Sequence, residues 1–150
     1  MLLNKADIAL LIPHSRAMCL LDGVVRWDMS GIRCISQSHH DQNNPLCSNG
    51  QLPAVCGVEY AAQAMAVHGG LAGNSAAKPR AGYLASIRDV KIGRDRLDDL
   101  PGQLIVDAEK LMGDGNQVIY QFLLFVGELE ILSGRAIVVI DAQHTEQNTR

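Results

Sequence analysis

The sequence predicts an α+β domain in which a largely antiparallel sheet wraps one long central helix. Three observations carry this expectation. The stretch from Leu52 to Leu71, LPAVCGVEYAAQAMAVHGGL, opens on a proline, closes on Gly69-Gly70 and holds almost nothing polar between them. Strand-like runs flank it, two before and four after. Between two of the later runs stands Asp114-Gly115-Asn116, a strong hairpin signal because these residue types tolerate the backbone of a tight turn.

Proline in a first helical turn and glycine just past the end are the usual helix punctuation. A helix so bounded is about 25 Å long at 1.5 Å per residue. A surface helix carries a single apolar stripe; this one has almost no polar side, so it is expected to be buried nearly all round. Ala61, Ala62, Ala64 and Ala66 are small enough for surrounding backbone to come close. Against that background stand Glu59 and Gln63, four residues apart and hence on one face. A carboxylate within apolar packing is costly unless paired or protonated. The two are either satisfied by backbone groups or an oligomer contact, or held ready for chemistry.

Taken in order, Lys5 to Leu11 reads as a short helix capped near Asn4, with Ile8 and Leu11 packed onto the body and Pro13 ending it. The apolar run from Met18 to Trp27, interrupted by Asp22-Gly23, reads as a strand that pairs as a hairpin with Ile32 to Ser38. His39 to Gly50 is polar and turn-rich, a loop into the helix, and Gly73 to Pro79 is a second loop. The remaining strands are Tyr83 to Ile92, Gln103 to Met112, Gln117 to Val126 and Glu128 to Ile140. A tight turn is expected at Val126-Gly127-Glu128 and a bulge at Ser133-Gly134.

A length of 150 residues suits one domain over 1–150, and no repeat or linker interrupts it. With 47% apolar and 19% charged residues the chain is globular, and a formal charge of -3 argues against a nucleic-acid partner. Cys19, Cys34, Cys47 and Cys56 show no CxxC or finger spacing, so neither a disulfide framework nor a zinc site is expected and a reduced cytoplasm fits. The opening MLLNKADIALLIPH is too short and too charged to span a membrane, and no signal-peptide cleavage pattern follows it. No metal or nucleotide cofactor is indicated.

Several strings, in register over roughly residues 8 to 140, carry a family resemblance. Ile12-Pro13-His14 followed by Met18-Cys19-Leu20-Leu21-Asp22, then Leu52-Pro53-Ala54-Val55 with Glu59, Ala62 and Gln63, then Leu100-Pro101-Gly102-Gln103-Leu104, and finally Ser133-Gly134-Arg135-Ala136, recur in one order. Together they resemble the hot-dog fold 3-hydroxyacyl-[acyl-carrier-protein] dehydratases, and look closest to the aryl-polyene dehydratase subgroup. The resemblance implies a homodimer or hot-dog heterodimer, an acyl-thioester tunnel at the interface, and dehydration of 3-hydroxyacyl chains borne by acyl carrier protein or as a CoA thioester.

Carried over residue by residue, the resemblance makes Glu59 the carboxylate that exchanges a proton with the hydroxyl, and Gln63 its orienter. The backbone N–H groups of Ala54 and Val55 fall where the family polarises the thioester carbonyl. The family's histidine base, however, has no counterpart in the shorter loop Pro45 to Gln51. Replacements are His14, which otherwise fixes the turn after Pro13, or a histidine from another subunit. His39 and His40 read as an exposed, solvated pair, and His68 is about half a rotation away from Glu59. A hot-dog thioesterase, in which the helix carboxylate activates water, and a non-catalytic partner subunit are the rival readings. Arg88, Lys91, Arg94 and Arg96 form a candidate docking patch for an acidic carrier protein, with Asp89, Asp95, Asp98 and Asp99 as neutralising neighbours.

Overall fold

The computed structural model of the chain describes residues 1–12, 18–73 and 82–140. Strand β1 (Leu3–Asn4) leads into helix α1 (Lys5–Ala9), where the expected cap is in place. The Asn4 side chain accepts the Asp7 N–H at 2.9 Å while the Asp7 carboxylate accepts the Asn4 N–H at 3.0 Å, a reciprocal capping box that buries Ile8 against the body.

Strands β2 (Gly23–Asp28) and β3 (Gly31–Ser36) form the first hairpin. Its turn is held by the Asp28 carboxylate, which accepts from the Ser30 N–H and O–H and the Gly31 N–H. The strand expected from Met18 begins only at Gly23, because the backbone of Met18 and Leu20 is bonded to side chains instead of to a neighbouring strand. After the polar loop, a 3-10 turn at Ala54–Cys56 opens into helix α2 (Gly57–Ala72). The Gly69-Gly70 pair does not close the helix as its punctuation suggested. Gly70 packs over Leu11, and tertiary contact carries the helix past its own weak propensity there to Ala72.

The remaining strands are β4 (Gly82–Ile92), β5 (Leu104–Gly113), β6 (Gln117–Val126) and β7 (Leu129–Ile140), within one residue of each expected boundary. Asp114 closes the β5–β6 hairpin by accepting the Asn116 and Gln117 N–H groups, and Gly127 turns β6 into β7 at φ +58. All pairs are antiparallel, in the order β1-β2-β3-β5-β6-β7-β4. The result is the hot-dog arrangement, a curved sheet around α2. Ile32 and Cys34, Leu104, Val106 and Ala108, Tyr120, Phe122 and Leu124, and Leu132 and Ala136 alternate along their strands and pack with Tyr60, Ala61, Ala64, Met65 and Val67 of the helix.

Two glycines are dictated by close approach. A Cβ on Gly57 would lie 2.8 Å from methyls of both Leu124 and Leu132, so any larger residue at the helix start would push two buried leucines aside. Gly134 is likewise pressed by Phe122, whose ring would be 2.8 Å from its Cβ. The bulge expected at Ser133-Gly134 is absent from β7 there, where both residues stay in register with β6. The irregularity is on the neighbour, in β4 between Arg88 and Lys91, where Asp89 adopts φ +55.

Candidate active site on the central helix

The entry to α2 is docked onto the segment after β4. Leu97 N–H donates to the Leu52 carbonyl at 2.8 Å, and the Ala54 N–H donates to the Asp95 carbonyl at 2.9 Å. Asp98 locks this bridge by accepting from the Leu52 N–H and from Arg96, and the guanidinium holds the Asp98 carboxyl well below the usual carboxylate range. Two expectations are corrected here. The Ala54 N–H is spent on Asp95 and does not face a substrate carbonyl; Val55 beside it is 55% exposed. Arg96 is paired with Asp98, with Asp99 also at 3.9 Å, so the docking patch loses that residue.

Beyond the entry, α2 presents two unlike faces. Gly57, Tyr60, Ala61, Gln63, Ala64, Met65, Val67 and His68 are buried against the sheet and loops, while Val58, Glu59, Ala62 and Ala66 are only half-buried. Among the described residues, the helix is therefore not covered all round. One sheet curls over one side, and the spacing of Val55, Glu59, Ala62 and Ala66 puts the other side along a single open stripe. Glu59 lies on that stripe, among small side chains.

The buried side carries a polar network that the sequence did not disclose. Gln63 is 1% exposed; its Oε1 accepts the Leu20 N–H at 2.8 Å and its Nε2 donates to the Met18 carbonyl at 2.6 Å. Both ends of the amide thus clamp the strand-less Met18–Leu20 segment onto the helix. The Ser36 and Ser38 hydroxyls reach the Leu20 carbonyl at 2.6 and 2.7 Å. Tyr60 completes the set, its hydroxyl 2.7 Å from Ser38 Oγ and accepting from Asn44 Nδ2 at 3.0 Å. Every member is satisfied by another, which is the condition for a buried polar network to hold a fold rather than weaken it. Gln63 was singled out as an orienter of Glu59; its observed bonds make it the anchor of the segment that leads to His14, itself outside the described residues.

Of the histidines, His39 is placed differently from expectation, while His40 is exposed and His68 lies off the Glu59 face, as expected. His39, read as half of an exposed pair, is fully buried, packed against His40 with ring centroids 3.9 Å apart and ring planes tilted by 38°. Among the described residues neither of its ring nitrogens has a well-aligned hydrogen-bond partner, although the Leu100 and Gly102 backbone lies close by. Burial, and then the neighbouring His40, push its pKa down, and the nearby Leu100 and Gly102 backbone offsets this only in part. His40 Nε2 lies 2.6 Å from the Leu100 carbonyl. His68 is buried too, away from the open stripe. Its Nε2 donates to the Asp28 carbonyl at 2.8 Å, which leaves Nδ1 to accept the Tyr120 O–H at 2.7 Å and fixes a neutral tautomer. Burial depresses its pKa and pushes the Tyr120 phenol up to about 12, so the phenol remains a donor.

These two depressed histidines make stability depend on pH. Each binds a proton more readily unfolded, near pH 6.5, than folded, so stability is fully present above about 6.5 and is lost as pH falls from there toward the folded-state values. The expected slope reaches about 1.4 kcal/mol per pH unit for each histidine. Urea denaturation midpoints at a series of pH values below neutrality, compared with those of His39→Asn, measure it; the variant is expected to flatten the slope.

Among the described residues no cluster of three His, Cys, Asp or Glu side chains is arranged to hold a metal ion, and no helix is long and apolar enough to cross a membrane. A groove of about 260 Å³ opens among β2, β3, β5 and β6, with Arg26, Asp28, Glu109 and Gln121 in its lining, and includes none of the residues singled out from the sequence. Arg88, Lys91 and Arg94 are exposed, and the register places Arg88 directly opposite Arg135.

Comparison with known proteins adds to this geometry. No curated protein matches the sequence. Among solved structures, the dehydratase heterocomplex ApeI:P from Xenorhabdus doucetiae superposes with a TM-score of 0.81 at 20% identity, over 95% of this chain and 97% of that one. A thioesterase from Haemophilus influenzae gives 0.66 at 14% identity over 93% and 94% of the two chains. A mutant thioesterase from Pseudomonas aeruginosa gives 0.60 at 11% identity over 79% of each. At these identities the structures establish the shared hot-dog fold. The family model for the ApeP dehydratase matches residues 6–148, nearly the whole length, and the chain therefore belongs to the ApeP-like dehydratase family.

Proposed function

We propose that the chain dehydrates 3-hydroxyacyl thioesters carried by acyl carrier protein, with Glu59 exchanging a proton with the departing hydroxyl. The observation that carries this reading is the position of Glu59 on the half-covered stripe of α2, in a chain of a dehydratase family. A stripe of small and apolar side chains beside a carboxylate is what an acyl chain needs, provided a second surface closes over it. We assign that surface to a second hot-dog chain, identical or related. Water excluded by such closure strengthens the hydrogen bonding of Glu59 to a leaving group. The Val55 N–H, at the exposed helix entry, is the proposed donor to the thioester carbonyl.

The base that takes the α-proton comes from His14 or from the second chain. His68 has both nitrogens bonded within the fold, His40 is bonded to Leu100, and His39 is buried within its own subunit. A thioesterase reading requires only the helix carboxylate and a water, so it is the alternative to separate. Incubating the chain, alone and with a second hot-dog chain, with 3-hydroxyacyl and acyl thioesters does so: dehydration produces an enoyl chromophore, hydrolysis a free thiol. Free thiol without enoyl product would replace the dehydratase reading.

The docking surface for the acidic carrier is proposed at Arg88, Lys91 and Arg94, joined by Arg135. Like charges directly opposite each other across strands are destabilising, and among the described residues neither Arg88 nor Arg135 has an ion-pair partner. An anionic partner relieves that repulsion. Arg88→Glu with Lys91→Glu is expected to raise KM for carrier-borne substrate about tenfold, less so at high salt, and to leave kcat on a small pantetheine thioester unchanged. Steady-state kinetics with both substrates check this.

A further inference from the structure

Helix α2 lies against the inner face of the sheet, and the outer face carries a charge pattern of its own. The strand register aligns one row across it: Asp28, Gly31, Glu109, Gln121, Arg135 and Arg88, on β2, β3, β5, β6, β7 and β4 in turn. All but Gly31 are exposed. Carboxylates stand on one side of Gln121 and guanidinium groups on the other. Along β6, Ile119, Leu123 and Phe125 are half-buried and alternate with the inward Tyr120, Phe122 and Leu124, so they face outward beside Gln121. Ile105 lies opposite Phe125 and Ile137 opposite Ile119, both half-buried as well. At the acidic end of the row Gly31 has no side chain, and the groove of about 260 Å³ opens there. Its lining carries the carboxylates of Asp28, Asp107 and Glu109 and the guanidinium of Arg26; Asp107 is already held by Arg33 at 2.7 Å.

We propose that this outer face joins two copies of the chain back to back, about a two-fold axis running along β6. Rotation about that axis keeps each level along the strands and exchanges the two sides, as an isologous contact requires. Glu109 of one copy then falls opposite Arg135 of the other, and Arg88 falls opposite the groove at Gly31, between Asp28 and Glu109. Each copy thus supplies carboxylates to the two arginines that repel one another within a single chain. On the axis Ile119, Leu123 and Phe125 meet their own counterparts across sheets about 10 Å apart. The charges fix partner and register, while the apolar side chains supply most of the attraction. Five strands at about 4.8 Å and the ten residues of β6 at about 3.4 Å outline roughly 650 Å² before side-chain relief, close to the 800 Å² or so per partner of a standard interface. Closure over α2 by a second hot-dog chain uses the opposite side of the domain, so both contacts form without conflict. Arg88 and Arg135 belong also to the proposed carrier surface, so a copy seated there excludes the carrier.

Sedimentation equilibrium of the full chain over a dilution series tests the proposal. Arg135→Glu is expected to halve the wild-type assembly mass, and Glu109→Arg to do the same, since each sets like charges face to face. Both positions are exposed, and Arg135→Glu removes a repulsion within the chain, so the fold should survive; circular dichroism checks this. An equimolar mixture of the two variants should regain the wild-type mass, because Glu109→Arg of one chain then faces Arg135→Glu of the other. A wild-type mass already equal to that of the variants, which leaves the face to the carrier, overturns the proposal. So does a mass that neither exchange lowers, or a mixture that stays apart. No substrate is used, so the result is distinct from the fate of the dehydratase reading.

Discussion

Replacing Glu59 by glutamine is expected to lower dehydration by about 10² to 10⁴-fold, the usual contribution of a positioned proton-transfer group. The substitution keeps the side chain's shape and one oxygen, and removes the ability to give or take a proton at the hydroxyl. Because Glu59 is half-buried on the open stripe rather than locked in the core, the fold should tolerate it. The effect should fall on kcat with KM little changed, as befits a group whose contribution is realised in the transition state. Circular dichroism and a melting curve indistinguishable from wild type establish that the loss is chemical.

Gln63→Leu is expected to do the opposite, weakening the fold far more than the chemistry. Leucine fills similar space, but leaves the Leu20 N–H and the Met18 carbonyl without the partners they have in the native chain. Each unsatisfied buried group costs about 1–3 kcal/mol, so the pair costs roughly 2–6 kcal/mol. For a chain of this size that lowers Tm by roughly 5–20 °C. Gln63→Glu keeps an acceptor for the Leu20 N–H and loses the donor to Met18, so it should fall between. If Gln63 acted only by orienting Glu59, both variants would melt as wild type does and lose turnover. Differential scanning calorimetry alongside kinetics separates the two roles.

The sequence revealed those parts of the molecule that depend on local chemistry. The cap at Asn4, the Asp114-Gly115-Asn116 turn and the alternation of β3 are each written in a few consecutive residues, and each was observed. Tertiary contact decided the rest. Gly69 and Gly70 look like a stop signal, yet the helix continues because Leu11 packs against it. Ser133-Gly134 looks like a bulge, yet the glycine serves to admit the Phe122 ring and the bulge sits across the strand pair in β4. At the candidate site, Glu59 was legible as a carboxylate in an apolar helix. The engagement of the Ala54 N–H by Asp95 was not, since it needs a partner some forty residues downstream. Nor was the burial of His39, whose neighbour His40 is held at the Leu100 carbonyl, sixty residues downstream.

The direct test of the central claim is the appearance of the enoyl chromophore when a 3-hydroxyacyl carrier substrate meets this chain together with a second hot-dog chain that supplies a histidine. The signal is expected with the wild-type chain, with near-complete loss when Glu59→Gln is substituted into the same mixture. An enoyl signal of equal rate with the variant would contradict it, because the half-covered carboxylate of the central helix would then have no part in expelling water.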